Sequence, residues 1–457
     1  MILRKIAMTI SRHAMLARGD RVLLAVSGGP DSTALLAALA TLAPQHGWSL
    51  HAAHFNHRAR GAESERDQQM VAETVRRFGL PLTIGAPQAP LSGANFEARA
   101  RHERYAFLRA AAEAAGCNRI ATGHTLDDQA ETVLLRILRG SGVDGLAAIA
   151  PVRTDGVVRP LIECRRDELL VFLEQEGVPY VHDSSNDDPR YLRNRVRLEL
   201  MPLLRRLSPN VPRNLARLSQ AARDDAAFLA KATAAVWASV EHNDGTLHLD
   251  ELRRLSRALQ TRVLRRWLEQ QRGSLEGLTS RHWRAALRVI GAARPNAQIQ
   301  LPDGGVFERA YDVVRFRRKT STAEWSEVEL RAGERLVLVG GWSFHAWQHE
   351  GAACKLPADL FHFAADADLL PAVLVCRRAR AGDRIRPLGM RGHRKLQDLF
   401  VDRRVPRSQR WNRPVLTAGE ELLWVPGVAR SAVAPVSEAT RRTLQITASP
   451  PAGASAA

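Results

Sequence analysis

The sequence predicts an α/β domain with a helix-covered parallel sheet, followed by a helical middle domain and a small α+β C-terminal domain. Three observations carry this. Strand-like and helix-like segments alternate over the first two hundred residues, helical periodicity takes over after Pro202, and a turn-punctuated unit closes the chain from Leu374. At 457 residues the chain exceeds the roughly 250 to 300 at which one core stops growing, so several domains are expected. Their boundaries fall at 1–205, 206–320, 321–373 and 374–447, the third being a linker or small β unit.

In order, "RVLLAVS" is a short strand and Ser32 to Ala43 a helix. "LHAAHFN" is a second strand, Glu63 to Phe78 a helix of mixed charge, and "LPLTIGA" a third strand. "ANFEARARHERYAFLRAAAEAAG" is helical with Gly116 as its stop. "NRIATGH" is a fourth strand, followed by a helix over Asp127 to Leu138 that ends at "RGSG". This alternation implies parallel strands covered on both faces. The helices "PRNLARLSQAARDDAAFLAKATAAVWASV", "RRLSRALQTRVLRRWLEQQ" and "SRHWRAALRVIGAA" make the middle region, which a β-like stretch, "AQIQLPDGGVFERAYDVVRFRR", completes. Turn signals at "PLGMRGH", "TAGEE" and "VPGV" mark the last unit.

Charge narrows the partner. There are 66 Lys plus Arg against 48 Asp plus Glu, a net +18, which favours a polyanion and specifically a nucleic acid. Genome composition explains Arg in place of Lys but not the excess of bases over acids. Cys117, Cys164, Cys354 and Cys376 are scattered without a C-x-x-C pair, against disulfides and zinc ribbons. Charges interrupt every apolar run of the N-terminus, and nothing approaches the ~20 apolar residues of a membrane span, so the chain reads as cytoplasmic. No membrane and no protein partner is implied, and a homodimer is left open.

The stretch "VLLAVSGGPDSTALLAAL" carries the first chemistry. Gly28 and Gly29 allow the backbone to approach an anion, Ser27 and Ser32 add hydroxyls, and the N-terminus of the helix that follows adds its positive end. The loop is neither G-x-x-x-x-G-K-[ST] nor G-x-G-x-x-G. Asp31 would repel a bare phosphate, so it reads as a Mg2+ ligand on a triphosphate. S-G-G-x-D-S after a first strand resembles the pyrophosphatase-type loop (PP-loop) of the N-type ATP family, a Rossmann-like fold whose members adenylate a carbonyl oxygen and release pyrophosphate.

Further clusters refine the resemblance. "HFNHRARGAESERD" places His54 and His57 three apart, with Arg58 and Arg60 beyond; metal pair, nucleotide contact and solvated loop all fit that spacing. In "GHTLDDQAETVLLRILRGSG", Asp127, Asp128 and Glu131 share one helix edge. They serve either as dipole complements or as a site that completes a Mg2+ shell and holds an amine. "FEARARHERYAFL" aligns Glu97, Arg101, Arg104 and Tyr105. From Arg190 to Arg217 there are eight arginines and one acid, Glu199, a density suited to RNA phosphates.

Together with "DSSNDDPRYLRNRVRLELMPLL" and the basic "RIRPLGMRGHRKLQDLFVDRRVPRSQRWNRPVLTAGEELLWVPGVARS", these runs are similar to the tRNA(Ile)-lysidine synthetases in their longer form. "HRKLQDLF" departs from that pattern in having Gln397 or Asp398 where a second Lys is usual. The resemblance implies ATP contacts at Ser27, Gly28, Gly29, Pro30, Asp31, Ser32, His54 and Gly123. It implies catalytic roles for Asp31, Arg104, Asp128 and Glu131, with Asp128 and Glu131 meeting free L-lysine. Mg2+ would sit on Asp31 and Asp127, although the sequence leaves open which of Asp127 and Asp128 meets metal. tRNA(Ile) with a CAU anticodon would be contacted by Arg193, Asn194, Arg195, Arg197, Arg394, Lys395 and Arg410. Its wobble cytidine would be adenylated at C2 and then attacked by lysine. The alternatives are a tRNA thiolation enzyme of the same ATP class, disfavoured by the missing cysteine pair, and a basic RNA-binding protein with a vestigial loop.

Overall fold

The computed structural model describes residues 1–58, 61–87, 96–181, 190–318, 326–352 and 359–451. Arg60, Cys354, the Glu97 side chain and residues 183–189 of the arginine-rich motif lie outside the described residues. The chain divides into two compact units, Met1–Leu229 and Ala230–Ala457.

The first unit runs α1 (Ile2–Arg12), β1 (Arg21–Ala25), α2 (Pro30–His46), β2 (Ser49–Phe55), α3 (Ala62–Arg77) and β3 (Leu82–Gly85). It continues α4 (Phe96–Ala114), β4 (Arg119–Thr122), α5 (Leu126–Leu138), α6 (Val143–Leu146), β5 (Val157–Val158), α7 (Arg166–Gln175) and α8 (Leu192–Arg195). A π-helical turn, Val196–Leu200, extends α8 into α9 (Met201–Leu207). The five strands pair in the order β3-β2-β1-β4-β5, all parallel. Alternation along β1 shows why both faces are covered. Val22 and Leu24 join a core with Leu35, Leu39 and Phe172, whereas Leu23 joins Tyr105, Leu108 and Ile120 on the other face. The fifth strand and α1 were not foreseen in the sequence; β5 is only two residues long, too short for a periodic signal.

In the second unit, helices Leu249–Arg254, Arg257–Arg272 and Ser280–Gly291 share a core with a four-stranded sheet, closed around buried Trp267 and Phe307. The segment expected as a linker or small β unit instead supplies strands to two further sheets. Ser343–Glu350 pairs with Arg442–Ser449 over eight positions, and Val328–Arg331 pairs with Val373–Arg378. Phe344, Phe363 and Trp424 fill the core the two sheets share. A strand pairing with a partner a hundred residues away leaves little local signature, so its membership was invisible in the sequence.

Candidate active site at the switch point of the sheet

β1 has β2 on one side and β4 on the other, so the connections leaving β1 and β4 diverge and open a crevice at the carboxyl ends of these strands. The β1 exit is Val26–Gly29. Gly28 has φ +92°, and a Cβ there would come within 3.0 Å of the Val71 side chain. The Ser32 hydroxyl accepts from the Ser27 amide at 3.1 Å, lies 3.0 Å from the Ser27 hydroxyl and donates to the Gly29 carbonyl, which fixes the turn. Gly123, at the β4 exit, passes so close to α2 that a Cβ would lie 2.9 Å from the Asp31 carbonyl oxygen and 3.0 Å from the Ser32 nitrogen. His54 is buried with Nδ1 2.9 Å from the Val26 carbonyl, and burial lowers its pKa despite that bond. It pins β2 to the loop.

Three helix N-termini, those of α2, α5 and α7, meet at this edge, and acidic side chains from two of them meet arginines. Asp31 Oδ2 accepts from Arg166 Nη2 at 2.7 Å and from Nε at 3.1 Å, and Oδ1 takes the same Nε at 3.2 Å. Asp127 accepts from the Arg166 backbone amide at 2.7 Å and from Arg205. Asp128 caps α5: its Oδ2 takes the Thr125 amide at 2.9 Å and the Thr125 hydroxyl at 3.0 Å. Its Oδ1 takes Arg193 at 2.9 Å and Arg197 at 3.4 Å. Glu131, 2% exposed in its side chain, binds Arg197 at 2.7 Å and Arg193 at 3.3 Å. Arg193 and Arg197 stand one turn apart, as Asp128 and Glu131 nearly do, so a guanidinium pair faces a carboxylate pair between two helices. Val196 and Met201 packing on Ala130 holds that interface together.

Electrostatics separate the carboxylates. Burial raises the Asp31 pKa, and Arg166 only partly offsets it. Burial would raise Asp128 too, but Arg193, His124, Arg166 and the Thr125 amide together hold it well below the usual carboxylate range. Beside them lies a cationic half-site. The Tyr105 ring has Arg101, Arg104 and Arg153 at 5.0, 5.7 and 5.3 Å. His124 is pushed down to about 3 by burial, with Asp128 opposing and Arg159, Arg101 and Arg104 assisting. Burial likewise lowers the Arg104 pKa, as expected of a guanidinium among other guanidiniums.

The structure therefore brings together the loop residues, Gly123, Asp31, Asp127, Asp128 and Glu131, with Arg104 in the adjoining half. It reassigns several expected tRNA contacts. Arg193 and Arg197 bind the carboxylates of Asp128 and Glu131, and Asn194 is buried. Arg195 is exposed, 3.5 Å from Glu199. Arg410 is buried, donating to the Val405 carbonyl and the Tyr311 hydroxyl, so it holds the fold rather than a ligand. Arg394 pairs with Asp402 at 2.7 Å, and Lys395 is exposed. Arg166, Arg205, Arg159 and Thr125 were missed. A signal for Arg166 did exist: a cation in the first turn of a helix opposes the macrodipole, so some anion must hold it there.

An oxygen-only set of one or two carboxylates, completed by phosphate and water, suits Mg2+. Asp31 fits, its partner being a displaceable side chain. Asp127 fits poorly, because one oxygen takes a backbone amide and the other a guanidinium. Among the described residues no three His, Cys, Asp or Glu side chains converge on one point.

A parallel sheet with this glycine loop and acidic helix start at its switch point defines an ATP-using enzyme of the PP-loop class, and residues 3–204 match the PP-loop domain. Residues 247–319 match the TilS substrate binding domain and 373–445 the TilS substrate C-terminal domain. The chain is 36% identical to the tRNA(Ile)-lysidine synthase of Symbiobacterium thermophilum, covering 98% of this chain and 97% of that one. The corresponding figures are 34%, 96% and 95% for the Geobacter sulfurreducens protein and 33%, 98% and 99% for the Dehalococcoides mccartyi protein, which carry the same name. The chain belongs to the tRNA(Ile)-lysidine synthase family.

Proposed function

We propose that the chain uses ATP to join free L-lysine to C2 of the wobble cytidine in tRNA(Ile) with a CAU anticodon. The observation that carries this is the juxtaposition of a glycine turn at a helix N-terminus with a buried carboxylate pair, Asp128 and Glu131. The C2 carbonyl oxygen attacks the α-phosphorus, the bond to pyrophosphate breaks, and C2 is left bearing an adenylate. The lysine ε-amine then attacks C2 and the C2–O bond breaks with AMP leaving.

The Gly28–Ser32 turn and the α2 N-terminus hold phosphate oxygens, and Gly123 lets the β4 exit close over them. Mg2+ on Asp31 would neutralise charge on the leaving pyrophosphate. Asp128, kept ionised by its neighbours, anchors the substrate ammonium and is a poor proton acceptor. The proton released as the amine becomes nucleophilic goes to Glu131. Arg104 and the cationic half-site hold RNA phosphate or the negative charge that develops at C2 and its oxygen. Among the described cysteines, burial raises the Cys117 thiol and pushes those of Cys164 and Cys376 up to about 12, which does not favour sulfur transfer through them.

The test is tRNA(Ile)-dependent incorporation of labelled lysine with release of AMP, for the wild type and Asp31→Ala. Both products are expected from the wild type alone. Absence of both from the wild type would overturn the proposal.

A further inference from the structure

We infer that Arg166 is the phosphate-binding cation of the nucleotide site, stored on Asp31 until ATP arrives. The inference rests on the ATP-site reading above and adds a residue to it. A triphosphate needs cationic partners, and the loop has no lysine; Lys5, the one lysine of the first unit, is bound to Glu168 at 2.6 Å. Arg193 and Arg197 face Asp128 and Glu131, two charges against two, and Arg205 is held by Asp127. Arg166 differs in its placement. Its amide is fastened to Asp127 at the start of α7, and its guanidinium reaches across to Asp31 in the first turn of α2, 2.7 Å away, with Asp128 at 3.7 Å.

That position, at the convergence of three helix N-termini, is where an anion is stabilised and a cation is not. In the free chain Asp31, with Asp128 farther off at 3.7 Å, compensates the guanidinium. Once Asp31 is committed to a cation that enters with the nucleotide, Arg166 is left partly buried without that partner. A phosphate oxygen within the same crevice replaces it, and a bidentate guanidinium suits phosphate better than an ammonium does. One ion pair thereby opens into two groups that bind the nucleotide.

The experiment measures equilibrium binding of ATP, AMP and adenosine to the full-length chain, with Mg2+ and with chelator. Variants are Arg166→Ala, Arg166→Lys, Asp31→Asn and the double variant Asp31→Asn/Arg166→Ala, each checked by circular dichroism. Arg166→Ala is expected to weaken Mg2+–ATP binding about ten- to hundredfold. Adenosine binding should move less than about twofold, and Arg166→Lys should recover part of the loss. In chelator, Asp31→Asn should bind ATP more tightly than wild type, because Arg166 has been released, and the double variant should lose that gain.

Equal weakening of ATP and adenosine by Arg166→Ala, or a gain that survives in the double variant, would overturn the inference and leave a purely structural arginine. Unchanged ATP binding by Arg166→Ala would overturn it as well. A wild-type chain that binds no ATP in either condition would instead sink the nucleotide-site reading itself, and this inference with it.

Discussion

Asp128 and Glu131 stand three residues apart on α5, yet their surroundings give them different work. Asp128 is tied by Thr125 as well as by arginine, whereas Glu131 takes its hydrogen bonds from Arg193 and Arg197. Asp128→Asn keeps an acceptor for the Thr125 amide and removes the charge that anchors an ammonium. Lysine incorporation should fall at least about a hundredfold, while tRNA-dependent pyrophosphate release should persist; loss of both at once would contradict the assignment. His124 offers a pH test. Its folded pKa near 3 lies below the ordinary 6.5, so under acid the unfolded chain takes up a proton that the folded chain refuses. Stability is therefore unaffected above pH 6.5 and declines as pH falls from 6.5 toward 3. For one proton the slope approaches about 1.4 kcal/mol per pH unit. Urea unfolding between pH 6.5 and 5 should show a shallower decline in His124→Asn than in wild type, with His51 and His54, whose pKa values burial also lowers, contributing to the decline that remains. The acidic residues of this cluster were legible in the sequence because they share a helix edge. Their arginine partners were not, since residues 39 to 78 positions away meet them only through the fold.

At the scale of elements, the site depends on how closely β4 leaves the sheet beside α2. Gly123 has no unusual φ among the positive values of the chain, and its need is purely one of space. Gly123→Ala would set a methyl group against the Asp31 carbonyl and the Ser32 amide, both backbone atoms that cannot rotate aside. A stability loss of about 1 to 3 kcal/mol is expected, with ATP affinity reduced at least about tenfold as the turn shifts. Calorimetric titration with ATP and a thermal melt check both, and an alanine variant with wild-type affinity would refute the close approach. The turn itself was readable: strand, glycines, proline and helix follow in order, and the helix begins at Pro30, two residues before the expected Ser32. The α7 start was readable only as a cation in a helix first turn that some anion must hold; "ECRRDELL" carries no motif, and its place in the site arises from packing of α7 against α2.

For the whole molecule, the +18 charge predicts that tRNA binding weakens steeply with salt, yet not every arginine contributes. Lys395 and Arg410 are equivalent from sequence alone, both basic positions in the C-terminal motif. The structure divides them: Lys395 is exposed, while Arg410 is buried against Val405 and Tyr311. Lys395→Ala should lower tRNA affinity and reduce the slope of log affinity against log salt by about one, leaving the melting temperature in place. Arg410→Ala should do the reverse. It leaves a carbonyl and a hydroxyl without their donor, at a cost of about 1 to 3 kcal/mol, and the salt slope of the protein that remains folded should match wild type. Filter binding across a salt series, paired with thermal melts, reads both quantities for each variant. If Arg410→Ala changed the slope and kept the melting temperature, burial would be the wrong criterion for sorting the basic residues of this chain into those that hold RNA and those that hold the fold.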